Sequence, residues 1–317
     1  MVTLADRNNH AGRWLAAIVA LVAALPGLRV PFLSDDWAQV AAAANGRLLA
    51  TPFQDFRPLF MTLYWLDLKV WGAHAFGFHL TNVALLALAS ALVVSVADRF
   101  TNDKQVSTLA GVLFALHPYH VENAAWIAGR ADALQAVFYL LALLSFERWR
   151  TSGRRLPYAT LALAEAALLS KESAVTLSAL LALRCILIVD LRERRRALWF
   201  GVLPNFILTS AHFLILRPFA LSGFGRTLAS GFGIAWLKDA CGFAAATIVP
   251  LEVERLSYRP ALWGAVAIGA WLLLLVSGFR DDKGMPRTAW VALCAFAVLV
   301  SPNLAGFQER YLFLPVA

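Results

Sequence analysis

Charged side chains are scarce in this sequence, and long apolar runs take their place. Only 15% of the 317 residues are charged and 60% are hydrophobic, whereas soluble domains carry about 25% charged residues. The few charges lie in short clusters between the apolar runs, a pattern that favours membrane-spanning helices over a β-barrel. The sequence therefore predicts an integral membrane protein of the all-α class, a polytopic transmembrane helical bundle of about nine or ten spans.

The sequence also has no cluster of cysteines, no nucleotide-binding loop and no signal-peptide cleavage site. The three cysteines, Cys185, Cys241 and Cys294, lie singly in apolar runs, so they fit no metal-ligand spacing and are predicted to be packing residues. No glycine-rich nucleotide-binding loop occurs, which argues against a cytosolic nucleotide-sugar site. No small-residue cleavage site accompanies the first apolar run, which therefore indicates a span and not a signal peptide.

The apolar runs define the predicted spans. In chain order they are 14–33, 76–97, 106–118, 131–147, 157–170, 174–190, 197–216, 260–278 and 288–305. Several are shorter than the ~20 residues of a straight crossing, so flanking residues or neighbouring helices must complete them.

Basic residues mark one side of this arrangement. They precede the first span or follow an even number of spans, at Arg7, Arg13, Arg99, Lys104, Arg148, Arg150, Arg154, Arg155, Arg192, Arg194, Arg195 and Arg196. The positive-inside rule makes that side cytoplasmic. The net charge of +8 is thus a topology signal, and nucleic acid is not a predicted partner.

The loops on the opposite side face outward. The first of them, 34–75, is interrupted by Asn45-Gly46, Pro52 and Pro58, so we predict one or two amphipathic helices on the outer membrane face. The segment 234–250 leaves two topologies open, because it either crosses the membrane or stays at the outer surface. The charges of 280–287 favour the second arrangement, which puts Glu309 and Arg310 outside.

With this topology the unusual polar residues gather on the outer side. They are Asp35, Asp36, Arg57, His79, Asn82, His117, His120, Glu122, Arg130, Asp132, Lys171, Glu172, Glu309 and Arg310. Ionisable residues near a bilayer are rare and are functional candidates by default. The adjacent pair Asp35-Asp36 stands out, because two ionised carboxylates repel one another and strongly prefer water.

Each candidate also has a plainer interpretation. Arg57 could extend to lipid headgroups, and His117 could cap the helix that the following proline ends. One aspartate of the Asp35-Asp36 pair could be a helix N-cap, which leaves the other unexplained.

The remaining charged pairs have structural alternatives as well. Arg130 and Asp132 could pair at a helix start, where the dipole favours the aspartate. Lys171 and Glu172 could form an interfacial salt bridge in a tight turn. Several separate outer loops nevertheless each carry a charged pair. One shared functional site explains this better than a separate structural role for each pair does.

Carboxylates beside cations at a membrane surface suit transfer from an anionic lipid-linked donor. An aspartate can take the proton of an incoming hydroxyl as general base, and Arg, Lys and His can hold a leaving phosphate. A divalent cation, Mg²⁺ or Mn²⁺, held by Asp35 and Asp36 is one alternative, and arginine alone is the other.

Five sequence elements carry a family resemblance. They are Ser34-Asp35-Asp36-Trp37, Arg57-Pro58-Leu59, the block from His117-Pro118-Tyr119-His120-Val121-Glu122 to Trp126-Ile127-Ala128-Gly129-Arg130-Ala131-Asp132, Leu169-Ser170-Lys171-Glu172-Ser173, and Glu309-Arg310-Tyr311-Leu312-Phe313-Leu314-Pro315. In this order they resemble the GT-C superfamily of multi-spanning glycosyltransferases. The resemblance is strongest to the O-mannosyltransferases that carry tetratricopeptide repeats and to their bacterial relatives.

The resemblance implies an inverting transferase that uses a polyprenyl- or dolichyl-phosphate sugar, mannose or another hexose. Asp35 is then the first choice for catalytic base and Asp36 the second, with Arg310 as phosphate ligand. The other residues expected to bind donor or substrate are Arg57, His117, His120, Glu122, Arg130, Asp132, Lys171, Glu172, Glu309 and Tyr311. The expected acceptor is a protein, a glycolipid or a polysaccharide, and membrane lipids are expected partners.

Domain organisation and membrane location can also be predicted. We expect residues 1–317 to form a single GT-C-like transmembrane domain that is truncated at its C-terminus, since no tetratricopeptide repeats follow. High Ala, Leu and Arg usage favours the inner membrane of a bacterium, with the site facing outward. Two other functions stay open, a lipid or sugar transporter or flippase, which would place ionisable residues near the midplane, and an inactive membrane scaffold.

Overall fold

The computed structural model describes residues 9–213, apart from gaps at 34, 54, 118–119, 121–124, 153–154 and 188–190. Within this part the chain is helical and has no strand beyond an isolated bridge between Ala50 and Phe56. The α-helices are α1 (His10–Ala24), α2 (Asp36–Ala44), α3 (Pro58–Trp71), α4 (Ala75–Thr101), α5 (Lys104–Leu116), α6 (Arg130–Thr151), α7 (Tyr158–Ser170), α8 (Thr176–Leu187), α9 (Leu191–Ala197) and α10 (Leu203–Ala211). Short 3₁₀ segments (Leu25–Arg29, Ile127–Gly129, Glu172–Val175) and a π segment (Leu198–Val202) join or extend them.

Local sequence explains where several helices begin and end. The side chain of Asn9 accepts the Gly12 N–H at the start of α1, and Asp103 accepts two N–H groups at the start of α5, as polar N-cap residues do. Pro58 opens α3, because its missing N–H costs nothing in a first turn. Asn102 ends α4 in the left-handed conformation, with φ of 55°, a frequent helix stop.

Among the described residues, three helical stretches are long and apolar enough to cross a membrane, and they confirm an all-α membrane protein. They are His10–Arg29, Ala75–Thr101 and Ile127–Thr151, with 20, 27 and 25 residues. A crossing needs about 20 residues because each residue of an α-helix rises about 1.5 Å. Two shorter apolar helices, Lys104–Leu116 and Tyr158–Ser170, match the predicted short spans.

The span boundaries differ from the predicted ones by a few residues. The first helix begins at His10 instead of 14, and its 3₁₀ extension ends at Arg29 instead of 33. The third long stretch runs on to Thr151 instead of 147, because hydropathy alone does not record how far a polar helix end continues into a loop. The spans predicted at 260–278 and 288–305, and the segment 234–250, lie outside the described residues.

Small residues bring the first helices together. Ala16, Ala20 and Ala24 form the buried face of α1, which packs on α4 and α5. A Cβ added to Gly111 would lie 2.2 Å from Val94 and 3.0 Å from Ala16, so the backbones approach too closely for any larger residue. Such small-residue contacts are typical of helices that pack in membranes.

The segment 34–75 contains two helices, α2 and α3, and their position on the outer membrane face stays a prediction. They are separated by the turn at Gly46, which has a φ of 71°, and by the irregular stretch that ends at Arg57. A buried cluster anchors both helices to α4 and to the segment that opens α6. Its members are Phe32, Val40, Ala42, Ala43, Phe60, Met61, Tyr64, Phe78, Ile127 and Ala131.

Two groups of polar contacts between distant segments lie at opposite ends of the bundle. At one end, Asn9 binds the backbone oxygen of Lys104 (2.9 Å), and Glu147 pairs with Arg184 (2.9 Å). The outer-loop residues meet at the other end. The arginine-rich loops and the candidate site are thus separated as the topology predicts, and the assignment of the first end to the cytoplasm stays a prediction from the positive-inside rule.

Candidate functional site

The Asp35-Asp36 pair lies where the chain leaves the first span and enters α2. Asp35 occupies the N-cap position, but its side chain makes no capping hydrogen bond. The Asp36 carboxylate reaches backward instead and accepts the Leu33 N–H at 2.8 Å, while its own N–H donates to the Leu33 carbonyl at 2.8 Å. The expected N-cap bond is therefore replaced by a reciprocal bond that closes the preceding turn.

Asp36 is buried, and both of its carboxylate oxygens accept hydrogen bonds from backbone N–H groups. Its Oδ1 accepts the Ala128 N–H at 2.8 Å, and the hydroxyl of Tyr64 lies 3.5 Å from the same oxygen. Burial raises the pKa of Asp36, the two backbone N–H donors from Leu33 and Ala128 oppose the rise, and the neighbouring charge of Asp35 adds to it. Asp36 thus ties the first outer loop to the second.

Asp35 is partly exposed and has a different environment. Its Oδ1 accepts the indole N–H of Trp126 at 2.9 Å. Within the described part of the chain its Oδ2 accepts no hydrogen bond. This oxygen is therefore available to a hydroxyl acceptor, whereas both oxygens of Asp36 are bound to the backbone. The geometry supports Asp35 over Asp36 as the candidate base.

Arg130 is fully buried at the start of α6 and pairs with a residue that sequence reasoning missed. One terminal nitrogen lies 2.5 Å from the Asp67 carboxylate, and the other donates to the Phe78 carbonyl at 2.9 Å. The guanidinium also stacks over the Tyr64 ring, 4.5 Å from its centroid. A buried arginine requires such compensation, so the structural interpretation of Arg130 is favoured over substrate binding.

A signal for Asp67 was present in the sequence. Phe60, Tyr64 and Asp67 follow one another at the four- and three-residue spacing of a single helix face, and all three are buried. A carboxylate on an otherwise apolar face indicates a buried cationic partner. The expected pair of Arg130 with Asp132 does not form, because each of the two residues pairs elsewhere.

Lys171 and Glu172, which are adjacent in sequence, reach to two different elements and do not pair with each other. The Lys171 ammonium binds the Asp132 carboxylate. Glu172 binds Arg57 through two bonds, Nε to Oε2 at 3.0 Å and Nη2 to Oε1 at 2.6 Å. Burial would lower the pKa of Arg57, but the charges of Glu172 and Asp55 outweigh it, so that this pKa is raised. The turn after α7 therefore joins α6 to the first outer loop.

The same turn continues as a buried polar seam along α6. Side chains of 171–176 face residues spaced three and four apart on that helix. The contacts are Lys171 with Asp132, Ser173 with Gln135 (2.8 Å), and Thr176 with Tyr139 (3.3 Å). Hydrogen bonds between helices satisfy polar groups that lipid could not, so the seam fixes the position of the Lys171-Glu172 turn.

The two histidines lie at the outer end of α5. His117 follows the last residue of this helix, and its N–H donates to the Phe114 carbonyl at 3.3 Å, which fits the helix-end interpretation. His120 is buried, with Nδ1 2.5 Å from the same carbonyl and its ring stacked on Phe114. Four further candidates, Glu122, Glu309, Arg310 and Tyr311, lie outside the described residues.

Metal binding has limited support in this part of the chain. Among the described residues no group of three or more His, Cys, Asp or Glu side chains is arranged to hold an ion. Both oxygens of Asp36 already accept N–H donors, so it fits poorly as a ligand, and Asp35 offers one oxygen. The predicted Mg²⁺ or Mn²⁺ would need further oxygen ligands, and it stays a prediction.

Comparison with known proteins finds similarity to protein O-mannosyl-transferases. The chain is 43% identical over 129 residues to the protein O-mannosyl-transferase Tmtc2 of Drosophila melanogaster, a match that covers 38% of this chain and 14% of the relative. It is 36% identical over 194 residues to Tmtc1 of the same species, covering 54% and 22%, and 31% identical over 118 residues to human TMTC1, covering 37% and 13%.

The matches span less than a quarter of the length of each of these relatives. No protein-family model matches the chain, and no solved structure does. The matched regions are similar to protein O-mannosyl-transferases, which confirms the resemblance to the O-mannosyltransferase branch of the GT-C superfamily that the motifs indicate.

Proposed function

We propose that this chain is an inverting glycosyltransferase that transfers a sugar, mannose or another hexose, from a polyprenyl-phosphate carrier to a hydroxyl group. The observation that carries the proposal is the asymmetric carboxylate pair, in which the second outer loop holds Asp36 through the backbone and leaves one oxygen of Asp35 available. The names of the relatives support mannose as the sugar and a protein as the acceptor.

In the proposed reaction Asp35 acts as general base. Its available oxygen takes the proton of the acceptor hydroxyl while that hydroxyl oxygen bonds to the anomeric carbon of the sugar. The bond between this carbon and the lipid-phosphate oxygen breaks, and its electron pair leaves with the phosphate. Attack from the face opposite the leaving group inverts the anomeric configuration. Asp36 holds the loop that presents Asp35.

The leaving phosphate needs positive charge that is not already neutralised. Arg57, Arg130 and Lys171 each bind a carboxylate within the described residues, so their charges are largely compensated. We therefore assign the main phosphate contact to Arg310, as the family resemblance implies. Arg57, whose side chain is 17% exposed, is the paired cation best placed to contact substrate as well.

The proposed reaction takes place at the outer membrane face, where lipid-linked sugars and acceptors meet. The gathering of the outer-loop residues at one end of the bundle supports this location, together with the topology from basic residues. The bacterial inner membrane stays an expectation from composition, and the relatives named above come from eukaryotes.

The test is sugar transfer by the purified chain in detergent, with polyprenyl-phosphate mannose as donor and hydroxyl-bearing peptides or glycolipids as acceptors. Asp35→Asn should lower transfer by about 10²–10⁴-fold, the usual contribution of a general base, while donor binding persists. The matched control is Asp98→Asn, which changes an aspartate at the opposite end of α4 and should transfer like the wild type. Full transfer by Asp35→Asn would refute the mechanism.

A further inference from the structure

The Asp35-Asp36 pair rests on three successive residues of the second outer loop. Trp126 donates its indole N–H to Asp35 at 2.9 Å, and Ala128 donates its backbone N–H to Asp36 at 2.8 Å. The residue between them, Ile127, is fully buried in the cluster that anchors α2 and α3. Both carboxylates are therefore aligned by one short turn, residues 126–128.

This turn is itself held from two sides. The Asn82 amide on α4 donates to the carbonyls of Trp126 and Ile127, at 3.3 Å each. The Gly129 N–H donates to the Trp126 carbonyl at 3.0 Å, and the turn leads directly into α6. The backbone of the turn is consequently attached to α4 and continues into α6.

An indole N–H can only donate a hydrogen bond, and this fact limits what Trp126 can do for Asp35. It cannot remove a proton, but it can occupy Oδ1 and fix the side-chain rotamer, so that Oδ2 points away from the turn.

We infer that Trp126 is the positioning residue for Asp35, a role that rests on the proposed glycosyl transfer. Trp126 orients the carboxylate so that its second oxygen meets the acceptor hydroxyl, and Asn82 keeps the turn in place.

The kinetic test compares Trp126→Phe with the control Trp14→Phe, which alters a tryptophan that is 70% exposed on α1. Trp126→Phe should lower kcat by about 10–100-fold, as loss of an orienting partner commonly does, and leave the KM for the lipid-linked sugar close to the wild-type value. Trp14→Phe should match the wild type in both kcat and KM.

Adding Trp126→Phe to Asp35→Asn should cause no further loss of kcat, because the indole acts through the carboxylate that is already removed. A kcat of Trp126→Phe equal to that of an active wild type would overturn the inference and leave the proposed function standing.

A second measurement does not depend on activity. The indole ¹H–¹⁵N resonance of Trp126, assigned by its loss in Trp126→Phe, should shift in Asp35→Ala and keep its position in Asp98→Asn. An unchanged resonance in Asp35→Ala would overturn the inference whatever the activity. If the resonance shifts but the wild type transfers no lipid-linked sugar to any acceptor, the hydrogen bond exists, and both the proposed function and the positioning role are refuted.

Discussion

Replacing Asp67 by asparagine should destabilise the protein strongly, although Asp67 lies on a helix of an outer loop. The change takes away the carboxylate that lies 2.5 Å from the fully buried guanidinium of Arg130. Removing one partner of a buried ion pair costs about 3–5 kcal/mol, because the other charge stays buried without compensation. At roughly 2–4 °C per kcal/mol, the melting temperature should fall by about 6–20 °C.

The pair can be tested with a double-mutant cycle. Arg130→Met should destabilise by a similar amount, whereas Asp67→Asn combined with Arg130→Met should lose less than the sum, because neither charge is left alone. Thermal unfolding of the purified chain in detergent measures all three variants. Arg148→Met, an exposed change on the same helix, is the control and should alter stability by less than about 0.5 kcal/mol.

A different outcome would reverse the assignment of Arg130. If Arg130→Met unfolds at the wild-type temperature but binds the lipid-linked sugar more weakly, Arg130 binds that sugar donor, as the family resemblance implies. The structural role argued from its contacts with Asp67 and Phe78 would then be wrong.

Two further predictions concern the other carboxylates of the site. Burial raises the pKa of Asp36 above its ordinary value of 3.8, so the stability that this group contributes is complete below that value and is lost as pH rises. The free energy of unfolding of the wild type should therefore fall relative to that of Asp36→Asn as pH rises above 3.8, and parallel pH curves would contradict this. Arg57→Lys should lower stability by about 1–2 kcal/mol, because an ammonium cannot reproduce the two-bond contact with Glu172. Arg47→Lys, an exposed change in the same loop, is the control, and equal unfolding of the two variants would argue against the contact.

Several features of the fold could be predicted because they depend on residues close together in sequence. Apolar runs long enough to cross a bilayer predict the helical stretches Ala75–Thr101 and Ile127–Thr151 to within a few residues. Asn45-Gly46 and Pro58 predict the break and the helix start in the first outer loop. The alternation of basic and acidic loops predicts that the candidate residues meet at one end of the bundle.

The identity of each partner could not be predicted, since the two residues of a pair are far apart in sequence. Arg130 and Asp67 are 63 positions apart, and only the packing of α3 against α4 and α6 brings them together. The sequence likewise treats Asp35 and Asp36 as near equivalents. Tertiary structure gives them different environments, because Asp36 accepts the backbone N–H of Ala128 and Asp35 accepts the indole N–H of Trp126. By itself the sequence therefore determined the helices, their alternation and the types of residue in the site, while helix packing decided which charges neutralise one another and which carboxylate oxygen stays available.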